Sequence, residues 1–121
     1  MYIYDRANLL AQDIKESPEF KEYKELKDEV FADETTKNLI KQFKKAQFEA
    51  QGAYMAGQEP SKELMDQIQK IGQVLQLNEK VTRYFGAEYK LHTIVSDIYK
   101  IIGDAFELDT GFMEDGLARI L

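Results

Sequence analysis

The sequence predicts an all-α protein, and three observations support that fold class. Apolar residues recur at alternating spacings of three and four, which is the period of helices that pack on other helices. The 121 residues include only 7 Gly and 2 Pro, which is sparse for an all-β protein with frequent turns. Residues that commonly cap helices separate the periodic segments. We therefore predict one domain, residues 1–121, forming an elongated bundle of about five helices built on long antiparallel helices.

Composition narrows the function classes. The hydrophobic fraction of 44% is enough for a real core. The net charge of −6 argues against a general electrostatic grip on nucleic acid, which depends on clustered Lys and Arg. Because the chain has no Cys, it has no disulfide, Cys nucleophile or thiolate metal site. No apolar run suits a signal peptide or a membrane span, so we expect a cytoplasmic protein that does not enter membranes.

The first two helices meet at Ser17-Pro18. A 4-3-4 spacing of Ile3, Ala7, Leu10 and Ile14 predicts an amphipathic helix over residues 2–15. Ser17 can cap the second helix and Pro18 suits its first position. The second helix then continues to about Phe31. Its predicted buried positions are Phe20, Tyr23, Leu26 or Lys27, and Val30.

The third helix has the longest run of small and apolar residues at helical spacing, which we call its seam. Asp33 can cap this helix and Gly57 can end it. The members of the seam are spaced by three and four: Thr36, Leu39, Phe43, Ala46, Ala50, Ala53 and Gly57. The seam changes from Leu and Phe to Ala and Gly, so a facing backbone can come close at one end. We expect that facing element to be a helix rather than a sheet or a cofactor.

The remainder of the chain predicts two more helices and a tail. Ser61 can cap a fourth helix over residues 62–76, and Asn78 a fifth over residues 79–107. The fourth buries apolar residues again spaced 4-3-4. The sequence leaves open whether residues 108–121 form a short helix from about Met113 or stay loosely ordered.

Two long helices carry more apolar surface than one copy can cover. We therefore predict that the third and fifth helices form an antiparallel pair, and that the surplus is buried in a homodimer or higher oligomer. Another protein is a second candidate partner. The residues expected at the oligomer interface are Leu39, Phe43, Ala46, Ala50, Ala53, Val95, Ile98 and Ile102.

No convergent set of acid, base and nucleophile is visible. The single histidine, His92, shares a helical face with Glu88 and Ser96. His92 follows Glu88 by four residues, whereas the di-iron bundle motif has a His three residues after a Glu and occurs on two helices. We predict no catalytic, cofactor or metal site and no enzyme activity. Glu88 lies on an apolar seam, so it needs a partner such as Arg83, Lys90 or a residue across an interface.

A basic stripe on the third helix offers an alternative function. Lys37, Lys41, Lys44 and Lys45 flank Phe43 and form a possible anion patch, which would let the protein contact RNA. The simpler interpretation is that these lysines solvate the helix or neutralise the acidic second helix. We favour that interpretation, and nucleic acid is not the expected partner.

Five segments of the chain resemble the YlbF/YmcA family, and its YheA-like branch in particular, which are small cytoplasmic helical proteins of Gram-positive bacteria. The matching segments are residues 3–10 (IYDRANLL), 17–20 (SPEF), 23–27 (YKELK), 43–49 (FKKAQFE) and 97–105 (DIYKIIGDA). The resemblance implies an all-α protein that self-associates.

The resemblance also implies a non-catalytic regulatory or adaptor role. Better-studied relatives form a complex that influences ribonuclease Y, mRNA maturation, competence, sporulation and biofilm formation. Those relatives use cysteines in a cluster-binding assembly. This chain has no cysteine, so the ligands for such a cluster are missing.

Overall fold

A computed structural model describes residues 2–106, which form five helices and, over that range, no strand. The helices are α1 (Tyr2–Glu16), α2 (Pro18–Phe31), α3 (Glu34–Met55), α4 (Lys62–Gln76) and α5 (Glu79–Phe106). The all-α prediction is confirmed, and the helix ends lie within about two residues of those expected. The alternatives predicted for residues 108–121 lie outside the described residues.

The predicted caps form as expected. Ser17, Asp33 and Ser61 each accept a hydrogen bond from the backbone N–H three residues later, at 3.2, 3.1 and 3.1 Å. Asn78 Oδ1 accepts from the backbone N–H of Lys80 at 3.0 Å. Each bond satisfies an amide that the first helical turn leaves unpaired. The capping residues therefore fix where four of the five helices begin.

Gly57 ends α3 in the way its sequence position suggested. Its φ is +77°, a conformation that glycine adopts without steric cost. The Gly57 N–H donates to the carbonyl of Tyr54 at 3.0 Å, and the Gln58 N–H donates to that of Ala53 at 2.9 Å. This pair of bonds is the Schellman motif, and it turns the chain back toward α4.

Helix pairing differs from the prediction that α3 and α5 form an antiparallel pair. The most extensive backbone approaches are α3 with α4 and α2 with α5, and the backbones of α3 and α5 do not approach each other, so that prediction is wrong. A Cβ added at Gly72 would lie 3.3 Å from the Phe43 ring, and Leu39 and Leu75 line one groove. These contacts make α3 and α4 an antiparallel hairpin.

The small residues of the α3 seam explain this pairing. The register set by Phe43 and Gly72 places Ala46 and Ala50 opposite the N-terminal half of α4. Both alanines are buried within the single chain. A short loop favours pairing of sequence neighbours, and small side chains let the two backbones come close. The facing element is thus a helix, as expected, but it is α4.

Most of the core is shared by α2, α3, α4 and α5. Its buried members are Leu26, Val30, Ile40, Ile71, Leu75, Val81, Tyr84 and Ala87. Where the sequence allowed either Leu26 or Lys27 as a buried residue of α2, the buried residue is Leu26. Ile40 is fully buried although the predicted seam ran through Leu39. The reason is that α3 approaches both α2 and α4, so its buried stripe is wider than a two-helix seam.

Two parts of the chain lie beyond this core. Helix α1 has no buried residue, and among the described helices it approaches only α2. Helix α5 has 28 residues, about 42 Å at 1.5 Å per residue, whereas α2 has 14. The α5 residues of the main core cluster end at Ala87, and the one buried residue of α5 beyond it is Gly103. About two thirds of α5 therefore extends past that cluster.

Candidate functional site

Among residues 2–106, Tyr84 is the most buried side chain that carries a polar group, and it lies on α5 at the centre of an aromatic cluster. It is 1% exposed. Its ring centroid lies 5.7 Å from that of Tyr23 in a stacked arrangement and 5.7 Å from that of Phe31. Phe85 follows at 5.4 Å. The rings hold Tyr84 in one orientation and direct its hydroxyl toward α3.

Lys44, Tyr84 and Glu88 form a polar cluster where α3 meets α5. The Tyr84 hydroxyl donates to Glu88 Oε2 at 3.1 Å, one helical turn along α5. Lys44 Nζ donates to the Tyr84 oxygen at 3.1 Å and forms an ion pair with Glu88. The Glu88 side chain is only 14% exposed. Its carboxylate is therefore neutralised and hydrogen-bonded, as burial of a charge requires.

The electrostatics of this cluster keep the tyrosine protonated. Burial raises the pKa of Tyr84 well above its ordinary value of 10.0, and the negative charge of Glu88 raises that pKa further. At neutral pH the hydroxyl is thus a fixed hydrogen-bond donor. The cluster joins side chains of α3 and α5.

Two lysines lie over rings of the aromatic cluster. Lys27 Nζ lies 5.8 Å from the Tyr23 ring centroid and 5.7 Å from that of Phe31. Lys44 Nζ lies 5.3 Å from the Tyr84 ring centroid. These are cation–π distances, which add modest stability at partly exposed positions. The lysines thereby cover the edge of the core.

A small notch lies beside the cluster where α3, α4 and α5 meet. It has a volume of about 110 Å³ and an apolar lining that includes Phe43, Leu75 and Phe85. Ligand pockets usually occupy about 300–1,000 Å³. This notch is smaller, and its shape suits a packing defect better than a cofactor site.

The family model described as "Control of competence regulator ComK, YlbF/YmcA" matches residues 3–107. The chain belongs to the YlbF/YmcA family. UPF0342 proteins from Caldicellulosiruptor bescii and Halothermothrix orenii are similar to it, at 39% identity over 105 residues and 35% over 108. The matches cover 87% and 89% of this chain and 88% and 92% of the relatives.

A solved structure supports the fold of this YlbF/YmcA-family chain. It is titled "Protein of Unknown Function (DUF964) from Bacillus stearothermophilus" and superposes with a TM-score of 0.71 at 23% identity. The match covers 88% of this chain and 94% of the solved one. At this identity the likeness concerns the fold alone.

The residues predicted at an oligomer interface of the YlbF/YmcA-family chain fall into two groups. On α3, Ala46 and Ala50 are buried within one copy, whereas Leu39, Phe43 and Ala53 are half-buried. On α5, Val95 and Ile98 are half-buried and Ile102 is 47% exposed. The α3 alanines therefore serve the α3–α4 contact, and a dimer surface on α5 stays a prediction.

The lysine stripe is divided by the structure. Lys44 is bound to Glu88 and Tyr84, while Lys41 and Lys45 are exposed and Lys37 is half-buried. The engaged Lys44 is less available to an anion. An RNA contact thus gains no support and stays a prediction.

Two findings at this site escaped the sequence analysis. The partner of Glu88 is Lys44, not the suggested Arg83 or Lys90. These residues are 44 positions apart, so no local spacing could reveal the pair. The isolation of α1 was also missed, although its apolar stripe was visible. Within residues 2–106, no group of three or more His, Asp or Glu is arranged to hold a metal ion, and no helix there is long and apolar enough to cross a membrane.

Proposed function

We propose that this chain is a non-catalytic cytoplasmic protein that associates with itself and acts as a regulatory or adaptor protein through its helical surfaces. The observation that carries the proposal is the apolar surface of α1. Ile3, Tyr4 and Leu9 are 65%, 65% and 62% exposed, although α1 is a complete helix of 15 residues. Large apolar side chains gathered on an exposed helix are typical of interaction surfaces.

The polar cluster supports a structural role for the titratable residues. Lys44, Tyr84 and Glu88 bond to one another, and the raised pKa of Tyr84 keeps its proton in place. An acid–base catalyst needs a pKa near the working pH and a free path to substrate. The cluster instead links the side chains of α3 and α5, which supports a structural role.

The regulatory part of the proposal comes from the family. The matching family model is described by its control of the competence regulator ComK. A protein that regulates another without catalysis must do so by binding, and exposed apolar helices provide binding surfaces. In a two-fold dimer, each apolar surface outside the dimer contact would be present twice.

Two experiments test the two parts separately. Light scattering of the purified chain at tens of micromolar should give the mass of a dimer or larger, and the 14.0 kDa mass of a monomer would refute self-association. Deletion of the gene in the native host should change the ComK level, with the wild-type gene restoring it. An unchanged ComK level after deletion would refute the regulatory role and leave the oligomer intact.

A further inference from the structure

We infer that α1 of one copy packs on the C-terminal half of α5 of a second copy, so that two copies exchange these contacts around a two-fold axis. This inference rests on the proposed self-association and names the surfaces that form it. Within one chain, the described parts of α1 and α5 do not approach each other. Neither helix covers the other. On α5, Leu91, Val95 and Ile98 are half-buried and Ile102 is 47% exposed within one copy, so a second molecule would complete the covering of a partly exposed stripe.

The apolar stripes of the two helices have the same spacing. On α1 the stripe is Ile3, Ala7, Leu10 and Ile14, and on α5 it is Leu91, Val95, Ile98 and Ile102. Both follow 4-3-4, the seam spacing of helices that pack side by side. The α5 stripe also continues the face that carries Val81 and Tyr84 into the core, since residues three and four apart share a helical face.

The lengths match as well. Helix α5 has 28 residues and its partner α2 has 14, which leaves about 14 residues of α5 without an equally long partner. Helix α1 has 15 residues. One α1 thus spans the free half of α5, about 21 Å at 1.5 Å per residue.

The exposed apolar area fits a stable dimer. Six side chains on the two stripes or at their edges contribute most of it: Ile3 65%, Tyr4 65%, Leu10 38%, Ile101 67%, Ile102 47% and Phe106 65% exposed. Taking about 200 Å² for a fully buried aromatic and about 100 Å² for an aliphatic side chain, they supply about 480 Å² per copy. A standard interface buries about 800 Å² per partner, of which about 65%, or about 520 Å², is apolar in homodimers.

A second copy of the chain can cover both the α1 stripe and the α5 stripe. Each copy supplies one α1 stripe and one α5 stripe, so a two-fold arrangement forms both contacts at once and leaves neither stripe open. The shared spacing permits a parallel or an antiparallel helix pair. Either direction places Leu10 beside the middle of the α5 stripe, at Val95 or at Ile98.

Disulfide trapping tests the contact, because the chain has no cysteine of its own. A tagged Leu10→Cys chain is mixed with an untagged Val95→Cys or Ile98→Cys chain and mildly oxidised. The control replaces Leu10→Cys with Asn8→Cys, an exposed position of α1 off the stripe. We expect a mixed disulfide at one of the two α5 positions in about tenfold excess over the control, since a disulfide requires Cα atoms within about 7 Å.

A second pair of variants tests the energetics. Leu10→Asp places a charge on the stripe, whereas Asn8→Asp adds the same charge off it. Leu10→Asp should raise the dimer dissociation constant at least about tenfold, because the dimer would bury an unpaired carboxylate. Asn8→Asp should leave the constant within about threefold of wild type. Circular dichroism should show an unchanged helix content for both, since α1 buries no residue.

Three outcomes would overturn the inference, and they separate it from the proposed function. A dimer by light scattering whose Leu10→Cys crosslinks do not exceed the Asn8→Cys control would refute the α1–α5 contact and leave self-association standing. A crosslink confined to a doubly substituted chain, with none between chains, would mean that α1 closes on its own α5. A mixed crosslink that requires deletion of residues 108–121 would show that this segment covers α5 in the full chain.

Discussion

Removal of Lys44 from the Lys44–Tyr84–Glu88 cluster should destabilise the fold measurably. Lys44→Met keeps most of the apolar stem but removes the charge that neutralises Glu88, a side chain only 14% exposed. Hydrogen bonds to charged groups contribute about 1.5–3 kcal/mol, and the 36% exposure of Lys44 places the loss at the lower end, about 1.5 kcal/mol. Glu88→Gln should cost about 1 kcal/mol, because the amide still accepts from Tyr84.

A double-mutant cycle isolates the interaction. The coupling energy between Lys44→Met and Glu88→Gln should be about 1 kcal/mol. The matched control is the Lys24–Asp28 pair at 3.3 Å, whose side chains are 59% and 66% exposed. Exposed pairs of this type contribute about 0.3 kcal/mol. Comparing the two coupling energies therefore tests whether burial strengthens the ion pair.

Urea unfolding followed by circular dichroism provides the measurement. With a denaturant slope of about 2 kcal/mol per M, Lys44→Met should lower the midpoint by about 0.8 M. All variants are compared at one protein concentration, because self-association would shift apparent stability by mass action. A Lys44–Glu88 coupling no larger than that of Lys24–Asp28 would show that the cluster does not fasten α3 to α5.

Three further predictions concern glycine and pH. Gly57→Ala should lower the unfolding free energy by about 1 kcal/mol, because the φ of Gly57 is +77°. Gly52→Ala should raise the unfolding free energy by about 0.5–1 kcal/mol, because the added Cβ meets nothing within 4 Å. Equal urea midpoints for the two variants would contradict this. The pKa of Tyr84 is raised in the folded state, so its stabilising effect is complete below pH 10 and is lost as pH rises toward the folded pKa. Absorbance at the tyrosinate band should show one fewer tyrosine titrating in the folded wild type than in the unfolded chain. A Tyr84→Phe variant should lose that difference. The Thr36 hydroxyl and backbone N–H lower the pKa of Asp33 below its ordinary value of 3.8. The contribution of the Asp33 carboxylate to stability is therefore present above that pH and is lost as pH falls through the lowered pKa. The stability difference between wild type and Asp33→Asn should be flat above pH 5 and change only below about pH 4, and a change near neutral pH would be inconsistent with the cap.

Helix boundaries could be predicted because they depend on local chemistry. Ser17, Asp33, Ser61 and Asn78 mark helix starts, and Gly57 marks an end. Each acts within a few residues of its own position. The sequence around each boundary therefore contains the whole cause.

Helix pairing and the polar cluster depend on contacts between distant segments. The seam through Ala46 and Ala50 indicated a close helical neighbour but did not specify α4 rather than α5. The choice follows from the hairpin between α3 and α4 and from the wide buried stripe that includes Ile40. Lys44 and Glu88 meet only because that hairpin turns α3 toward the aromatic cluster. Neither can be derived from periodicity alone.

The separation of α1 from the core has an evolutionary consequence. Substitutions in the interior are constrained by packing, so residues such as Ile40 and Val81 can change little without loss of stability. Helix α1 is free of that constraint within one copy because no residue in it is buried there. Contact with a second molecule would be what restricts its apolar positions. Substitutions on those positions during evolution would therefore leave the fold intact and alter which chains associate.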